Sequence, residues 1–269
     1  EESLADLAAR LAAVLAFAFD TETTGLVPVA ADLVGISVSW EPCTGYYIPV
    51  RGVGRTVSED AVRRHLGPIF ADPAIRKCGQ NVKFDLAVLK TIGIDVAGID
   101  FDSMLASFVL DSSRPSHGLD ALARDLLHYK TIPIQDLIGK GKNQITMDQV
   151  PTDRVCTYAA EDADIAWRLR GALERQMTDP ELTALFREID MPLLEVLARM
   201  ELLGVAVDVK LLARLSGEMA VRLAELEDEI HRTAGRPFNI ASTKQLAEVL
   251  FDERRLRVVR RTQTMRSTD

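Results

Sequence analysis

The sequence predicts a layered α/β or α+β domain that ends near residue 178, followed by a second part that is helical throughout. Segments with the alternating pattern of strands lie in the first fifty residues, and most later segments have helical spacing. Strands followed by helices that pack on them give a layered domain. After Asp179-Pro180 only helical spacing remains, which divides the chain into residues 1–178 and 179–269.

The predicted sheet begins at Leu15. Leu15, Phe17 and Phe19 alternate with smaller or charged residues, which is the pattern of a half-buried strand. The first three strands are joined by short turns at Thr24–Gly25 and Pro42–Gly45, so an antiparallel meander is expected. The later strands are predicted at 34–40, 46–50 and 76–80.

The remaining segments are predicted to be helices around one irregular stretch, residues 129–151. In the second part, an apolar stripe from Leu212 to Ile230 lies under charged faces, as expected of a helix that packs along its length. Together with the preceding helix it predicts an antiparallel hairpin. The predicted helices are 1–13, 58–70, 82–92, 102–110, 119–127, 152–177, 181–203, 210–233 and one that Ser242 caps.

Composition indicates a soluble globular protein of the reducing cytosol. The 269 residues are 47% apolar, no apolar run is long enough to span a bilayer, and the start lacks a signal-peptide layout. Three scattered cysteines argue against a disulfide framework or a zinc cluster. The net charge of −8 argues against nucleic-acid binding, but six arginines between 254 and 266 provide a local positive charge that makes such binding possible.

Two carboxylates follow the first strand. Asp20 and Glu22 are two residues apart, so on a strand they leave the same face and repel each other. Only Arg10 is basic in the first fifty residues, which favours a divalent metal as the compensating charge. The alternative is a solvated strand end followed by an ordinary turn.

Three further positions could complete this pair. Asp85 begins a helix directly after a strand, where a carboxylate would also serve to cap the helix. Tyr158 and Asp162 are four residues apart on a helix and share a face, whereas Glu161 points elsewhere and Asp164 is expected to be solvated. Asp102 is interpreted as a helix cap.

In this order the residues resemble the DEDD exonuclease superfamily in its tyrosine-containing branch. Residues 20–26, Asp-Thr-Glu-Thr-Thr-Gly-Leu, occur widely in that superfamily. Other segments are similar to the proofreading domain and the thumb entry of the bacterial DNA polymerase I family (family A). These are 79–85, 101–105, 139–144 and 158–164 in the first part, and 189–193, 204–208 and 238–246 in the second.

The resemblance implies a ribonuclease H-like mixed β-sheet flanked by helices, followed by a partial, all-helical thumb. It implies hydrolysis of DNA 3′ ends to nucleoside 5′-monophosphates with two divalent ions, Mg²⁺ or Mn²⁺. Asp20, Glu22 and Asp162 would hold one ion, Asp20 would bridge to a second near Asp85, and Tyr158 would orient the attacking water. A phenol with a pKa near 10 is a poor base at neutral pH.

The resemblance also implies the DNA contacts. Leu26 would wedge against the terminal bases, and Asn81 and Gln80 would contact a single-stranded 3′ end. Asn239, Ser242, Thr243 and Lys244 would bind duplex backbone at a helix N-terminus, although simple capping by Ser242 explains the same residues. A cytoplasmic monomer, associated with the nucleoid through DNA, is expected.

Two other functions compete with this interpretation. A stand-alone RNase D-like exoribonuclease would share the carboxylates but has no need of residues 238–246. A catalytically silent DNA-binding module would have lost carboxylates that are all present here. The chain begins at Glu1 and lacks the palm and fingers of the polymerase family, so it is expected to be a fragment that degrades 3′ ends without synthesising DNA.

Overall fold

The computed structural model describes residues 2–261 and 266–268, in two compact units. The first unit is Glu1–Gly204 and the second is Val205–Asp269, within these described residues. The predicted helix start at Glu1 and part of the predicted basic tail, residues 262–265, lie outside the described residues.

The first unit is built on a mixed five-stranded sheet with the order β3-β2-β1-β4-β5. The β1–β2 and β2–β3 pairs are antiparallel, which confirms the predicted meander, and the β1–β4 and β4–β5 pairs are parallel. The strands are β1 (Ala16–Thr23), β2 (Leu33–Ser39), β3 (Tyr46–Pro49), β4 (Arg76–Gly79) and β5 (Ile99–Asp102). The sequence prediction missed β5, which is only four residues long.

Strand β1 is central and is buried on both faces. Phe17 and Phe19 pack edge-on against Phe70, while Ala18 on the opposite face is equally inaccessible. The prediction of a half-buried strand that begins at Leu15 was therefore wrong, because Leu15 precedes the strand and is 79% exposed. Burial on both faces is typical of a strand that has helices on either side.

Helices cover both faces of the sheet, and Ser58 and Asp102 cap two of them as predicted. Residues predicted as irregular contain one short helix and 3₁₀ turns at 141–143 and 147–149. The helices of the first unit are α1 (Glu2–Ala12), α2 (Glu59–Ala71), α3 (Val82–Thr91), α4 (Ser103–Leu110), α5 (Leu119–Leu127), α6 (Gln135–Ile138), α7 (Thr152–Glu174), α8 (Pro180–Ala184) and α9 (Met191–Leu203), with a π-helix at Leu185–Asp190.

The first compact unit extends beyond residue 178 because later segments pack onto the sheet layer. Phe186 stacks edge-on against Phe101 of β5, and Lys83 of α3 forms an ion pair with Glu201 of α9. Leu194 joins the main apolar core. The end of an exonuclease domain at residue 178 stays a prediction about function.

The second unit contains α10 (Val209–Ala234), α11 (Thr243–Ala247) and a π-helix at Glu248–Glu253. Asp208 caps α10, and Gly235 ends it with a φ of +81°, a conformation that favours glycine. The predicted stripe is largely exposed, with Met219 and Leu223 more than 60% accessible. The predicted hairpin would join the two units and stays a prediction. Within the described ranges, no helix is both long and apolar enough to cross a bilayer.

Candidate active site

Strand β1 positions the first two carboxylates. Asp20 lies opposite Ser37 of β2 and Glu22 lies opposite Gly35, just before a bulge between Glu22 and Thr23. Gly35 is required because a Cβ there would fall within 2.5 Å of the Tyr47 ring. The absence of a side chain at Gly35 therefore lets Tyr47 pack against the strand beside Glu22.

Helix α7 brings Tyr158 and Asp162 to the same place. Oxygens of Asp20, Glu22 and Asp162 all lie within 4.8 Å of one another. The helix approaches closely because Gly45 passes over its backbone, where a Cβ would lie 2.3 Å from the Ala160 carbonyl oxygen. A glycine at position 45 therefore lets α7 lie directly against this segment.

The neighbouring acidic residues of α7 have different partners. The Glu161 carboxylate accepts a hydrogen bond from the Tyr129 hydroxyl (2.8 Å) and another from the Ile132 amide (2.7 Å), so it points away from the cluster as expected. Asp164 is not solvated, contrary to the prediction. It is buried, accepts a hydrogen bond from the Cys43 amide and pairs with Arg168.

Asp85 lines the same cavity but lies outside the group of three. Its Oδ1 accepts hydrogen bonds from the amide (2.9 Å) and the hydroxyl (2.5 Å) of Thr21, the residue between Asp20 and Glu22. Asp85 therefore does not cap α3. A free backbone amide at the start of α3, that of Val82, instead donates a hydrogen bond to Asp102 Oδ2 at the end of β5. One carboxylate, Asp102, thus serves the first turns of both α3 and α4.

The cluster carries strong mutual repulsion. Burial raises the pKa of Asp20 to about 7, with a smaller opposing effect from the Thr21 backbone. Burial, and then the charge of Asp20, raises the pKa values of Glu22, Asp85 and Asp162. Burial and the Asp162 carboxylate raise the pKa of the Tyr158 phenol, so this group stays protonated at neutral pH.

The arrangement suits divalent cations with oxygen ligands. Glu22 Oε1 is buried and has no hydrogen-bond partner, although most buried polar atoms in proteins have one. Within residues 2–261 and 266–268, none of the ion pairs involves Asp20, Glu22, Asp85 or Asp162. Closely spaced hard oxygens without a counter-charge are the donor set that Mg²⁺ and Mn²⁺ take.

The predicted DNA-contact residues of the first unit surround this cavity of about 710 Å³. Leu26 is 92% exposed at its edge, and Asn81 is also exposed, with a φ of +58° and no side-chain bond to the helix it precedes. Gln80 differs, because its amide already donates to the His117 carbonyl and accepts from the Ser103 hydroxyl.

Sequence reasoning missed one wall of the cavity. The stretch from Ile134 to Met147, predicted as irregular and similar to the polymerase family only at 139–144, contributes Ile138, Lys140 and Gln144 to the lining. The sequence feature that could have indicated this wall is the pair of lysines within Gly139–Asn143, because lysines near a metal site can attract an anionic substrate.

In the second unit, local hydrogen bonds account for two of the four predicted phosphate-binding residues. Ser242 caps α11 by accepting from the Gln245 amide, and Asn239 Oδ1 accepts from the Ala241 amide. No hydrogen bond or ion pair is formed by the side chains of Thr243 and Lys244 within the described part of the chain. The capping interpretation of Ser242 is therefore correct, and a role in DNA binding stays a prediction.

Comparison with protein families gives the class of this chain. Residues 1–178 match the family model described as 3′-5′ exonuclease, which covers more than half of the 269 residues. The chain belongs to this 3′-5′ exonuclease family. Residues 209–269 match a second model, described as DNA polymerase family A.

Curated proteins similar to this chain include bacterial DNA polymerases I. The chain is 44% identical over 253 residues to that of Chloroflexus aurantiacus, covering 93% of this chain and 26% of the relative. It is 39% identical over 254 residues to that of Pseudomonas aeruginosa, covering 92% and 28%. The predicted resemblance is confirmed, and the chain spans about a quarter of the length of these relatives.

Solved structures support the predicted fold. The structure described as the POL domain of Pol1 from M. smegmatis, in complex with DNA primer-template and dNTP, has a TM-score of 0.72 at 24% identity, over 99% of this chain and 42% of that chain. Brucella melitensis NrnC has a TM-score of 0.57 at 24% identity, over 71% of this chain and 87% of that chain. A ribonuclease H-like sheet flanked by helices is consistent with both.

Proposed function

We propose that this chain is part of a DNA polymerase I and that residues 1–178 hydrolyse DNA from the 3′ end, releasing nucleoside 5′-monophosphates. The observation that carries this proposal is the convergence of the Asp20, Glu22 and Asp162 carboxylates in one cavity, where a buried oxygen of Glu22 has no hydrogen-bond partner. The chain spans about a quarter of the length of its polymerase relatives. DNA synthesis is therefore proposed only for the longer polymerase of which this chain would be a part.

Asp20, Glu22 and Asp162 would hold one divalent ion, and Asp20 together with Asp85 would hold a second. When bound, such ions neutralise phosphate charge and make water a better nucleophile. The Thr21 hydrogen bonds fix the Asp85 carboxylate relative to β1, so the two parts of the site are connected through a single residue. Mg²⁺ is the proposed ion because every donor is a carboxylate.

Tyr158 would orient the attacking water by donating or accepting a hydrogen bond. Its raised pKa leaves the phenol protonated at neutral pH, which excludes a role as the main base. Tyr158 lies one helical turn before Asp162 on α7, so its hydroxyl is on the same helix face as the Asp162 carboxylate.

The substrate strand would enter beside Leu26. An exposed leucine at the mouth of a cavity can separate the terminal bases, and unpairing is least costly at a mismatched end. Asn81 would contact the strand directly, whereas Gln80 would have to exchange its bonds to Ser103 and His117 to do so. Lys140, another lining residue of the cavity, supplies a cation.

The second unit would contact duplex DNA. Thr243 and Lys244 lie at the start of α11, and Asn239 and Ser242 shape the preceding turn. We propose a monomer that acts in the bacterial cytoplasm, where its DNA substrate is located. The compact unit that ends at Gly204 would then include the exonuclease domain and the first helices of the polymerase part.

The test is an assay on a labelled primer–template with a mismatched 3′ end, with Mg²⁺ and with or without nucleotides. Stepwise shortening without extension is expected. Asp162→Ala should abolish shortening while the circular dichroism spectrum is retained, and unchanged shortening in the folded variant would refute the assignment.

The same assay separates the competing functions. An RNA primer degraded faster than the DNA primer would favour an exoribonuclease. DNA binding without shortening at any Mg²⁺ or Mn²⁺ concentration would favour a silent binding module.

A further inference from the structure

Both tryptophans of the chain line a second cavity in the first unit, of about 750 Å³. It is formed by the start of β1, the segment after β2 and the last turns of α7. Asp162 and Arg170 are eight residues apart on α7, which places this cavity about 12 Å further along the helix than the carboxylates. The proposed nuclease chemistry uses none of its residues.

Four arginines and no lysine line this tryptophan cavity. Three of them are paired: Arg168 with Asp164, and Arg170 and Arg76 with Asp100. Glu174 is the third carboxylate here and also pairs with Arg170. The four arginines thus exceed the three carboxylates by one positive charge.

The arginines differ in how firmly they are held. The Arg170 side chain is only 10% exposed and is fixed by Asp100 at 2.9 Å and Glu174 at 3.2 Å, with Trp167 beneath its guanidinium. Arg175 is exposed and forms no ion pair within residues 2–261 and 266–268. The cavity therefore offers one wall of preorganised arginine–carboxylate pairs and one free guanidinium, that of Arg175.

Apolar surface completes the cavity. Leu15 is 79% exposed, and Leu127 and the two indoles add to the apolar lining. Gly171 leaves space in the lining formed by α7, since a Cβ there would meet only the Arg175 guanidinium, at 3.5 Å. Glycine is a poor helix former, and no protein atom in the described ranges requires it at this position.

We propose that the tryptophan cavity binds an acidic segment of a partner protein, through one or two carboxylates and a large apolar side chain. Arginine and tryptophan are enriched, and lysine is depleted, where proteins bind proteins. A single excess positive charge complements a short acidic segment. Single-stranded nucleic acid would require a continuous positive groove along its phosphates.

The tryptophans make the cavity directly observable, because all tryptophan fluorescence of this chain originates there. The probe is the tryptophan-free peptide acetyl-Glu-Asp-Phe-Leu-Asp-Glu-amide, added to the 269-residue chain. A saturable change in emission is expected, which weakens with added salt. A peptide with serine in place of Phe and Leu, and one with lysine in place of the acidic residues, should both bind more weakly.

Two pairs of variants locate the binding. Arg175→Ala removes an unpaired charge and should weaken peptide binding about tenfold, whereas Arg64→Ala, an exposed arginine of α2 outside the cavity, should leave it unchanged. Gly171→Leu places the side chain of a good helix former in the cavity lining and should weaken peptide binding strongly. Gly217→Leu in α10, where a Cβ would meet no atom within 4 Å, is its control.

Four results would overturn the proposal. The first is no emission change up to about 1 mM peptide, which corresponds to a binding free energy of about −4 kcal/mol. The second is an equal loss of binding in Arg64→Ala and Arg175→Ala. The third is a larger emission change with a twelve-nucleotide oligothymidylate than with the peptide. The fourth is concentration-dependent self-association that Gly171→Leu abolishes, because the occupant would then be a second copy of the chain.

Discussion

Replacing Asp20 by asparagine should make the metal-free protein more stable. The pKa of Asp20 is about 7 in the folded chain instead of its ordinary 3.8, because burial disfavours the charged carboxylate. The folded state therefore binds more protons than the unfolded state between these values, and stability falls as the pH rises from about 4 to about 7. Asparagine cannot ionise, so the variant lacks this loss.

The expected gain follows from the shift in pKa. About three pKa units at about 1.4 kcal/mol each give about 4 kcal/mol above pH 7. The carboxylates of Glu22 and Asp162 can take up part of the shared protonation, so a gain of about 2 to 4 kcal/mol is expected at pH 7.5. For a domain of this size that corresponds to a rise in Tm of roughly 5 to 15 °C.

Thermal unfolding in EDTA at pH 7.5 and pH 4 measures this gain. The rise in Tm should be present at pH 7.5 and nearly absent at pH 4, where the wild-type carboxylate is already protonated. Addition of Mg²⁺ should raise the Tm of the wild-type protein but raise that of Asp20→Asn much less, since one ligand is lost.

Asp164→Asn is the matched control. Asp164 is a buried aspartate beside this region, but it accepts a hydrogen bond from the Cys43 amide and pairs with Arg168. Its replacement should lower the Tm and leave the response to Mg²⁺ intact. A metal-free Asp20→Asn protein that is no more stable than wild type at pH 7.5, or a gain of equal size at pH 4, would refute the reasoning.

Four further predictions concern the same region. Mg²⁺ binding should tighten between pH 6 and pH 8 and release protons, which calorimetry in buffers of different ionisation enthalpy detects; a pH-independent affinity would contradict the raised pKa of Asp20. Tyr158→Phe should slow 3′-end hydrolysis by roughly ten- to hundredfold in single-turnover assays, and a greater loss than in Asp162→Ala would contradict an orienting role. Glu161→Gln removes the charge that holds Tyr129 and the Ile132 amide, so limited proteolysis should cut residues 129–145 faster, with an unchanged response to Mg²⁺. Gly45→Ala should destabilise the chain by about 1–3 kcal/mol or more in urea unfolding because its Cβ would overlap the α7 backbone; a neutral effect would mean that α7 can move away.

Local patterns made much of the site predictable. The two-residue spacing of Asp20 and Glu22 on a strand, and the four-residue spacing of Tyr158 and Asp162 on a helix, each fix a shared direction. Capping by Ser58, Asp102 and Ser242 was equally local, and the structure has all three caps.

Long-range partners were beyond the reach of such patterns. A carboxylate at a helix start has the same local signature whether it caps the helix or not. Only the tertiary structure shows that Asp85 accepts a hydrogen bond from the Thr21 amide, 64 residues away in sequence. For the same reason Asp164 appeared solvated, although the Cys43 amide, 121 residues away, covers it. Strand β5 was missed because Asp102 is both its last residue and the cap of α4, and only the cap has a local sequence signature.

The sequence by itself determined which carboxylates share a face, which residues cap the helices and which family the motifs indicate. These properties depend on residue type and short-range spacing. The tertiary structure alone decided that β1 is buried on both faces, that residues between 134 and 147 line the cavity of the candidate site, and that two tryptophans 127 positions apart in sequence line one arginine-rich cavity. Burial and cavity shape depend on which distant segments pack together, and no short stretch of sequence contains that information.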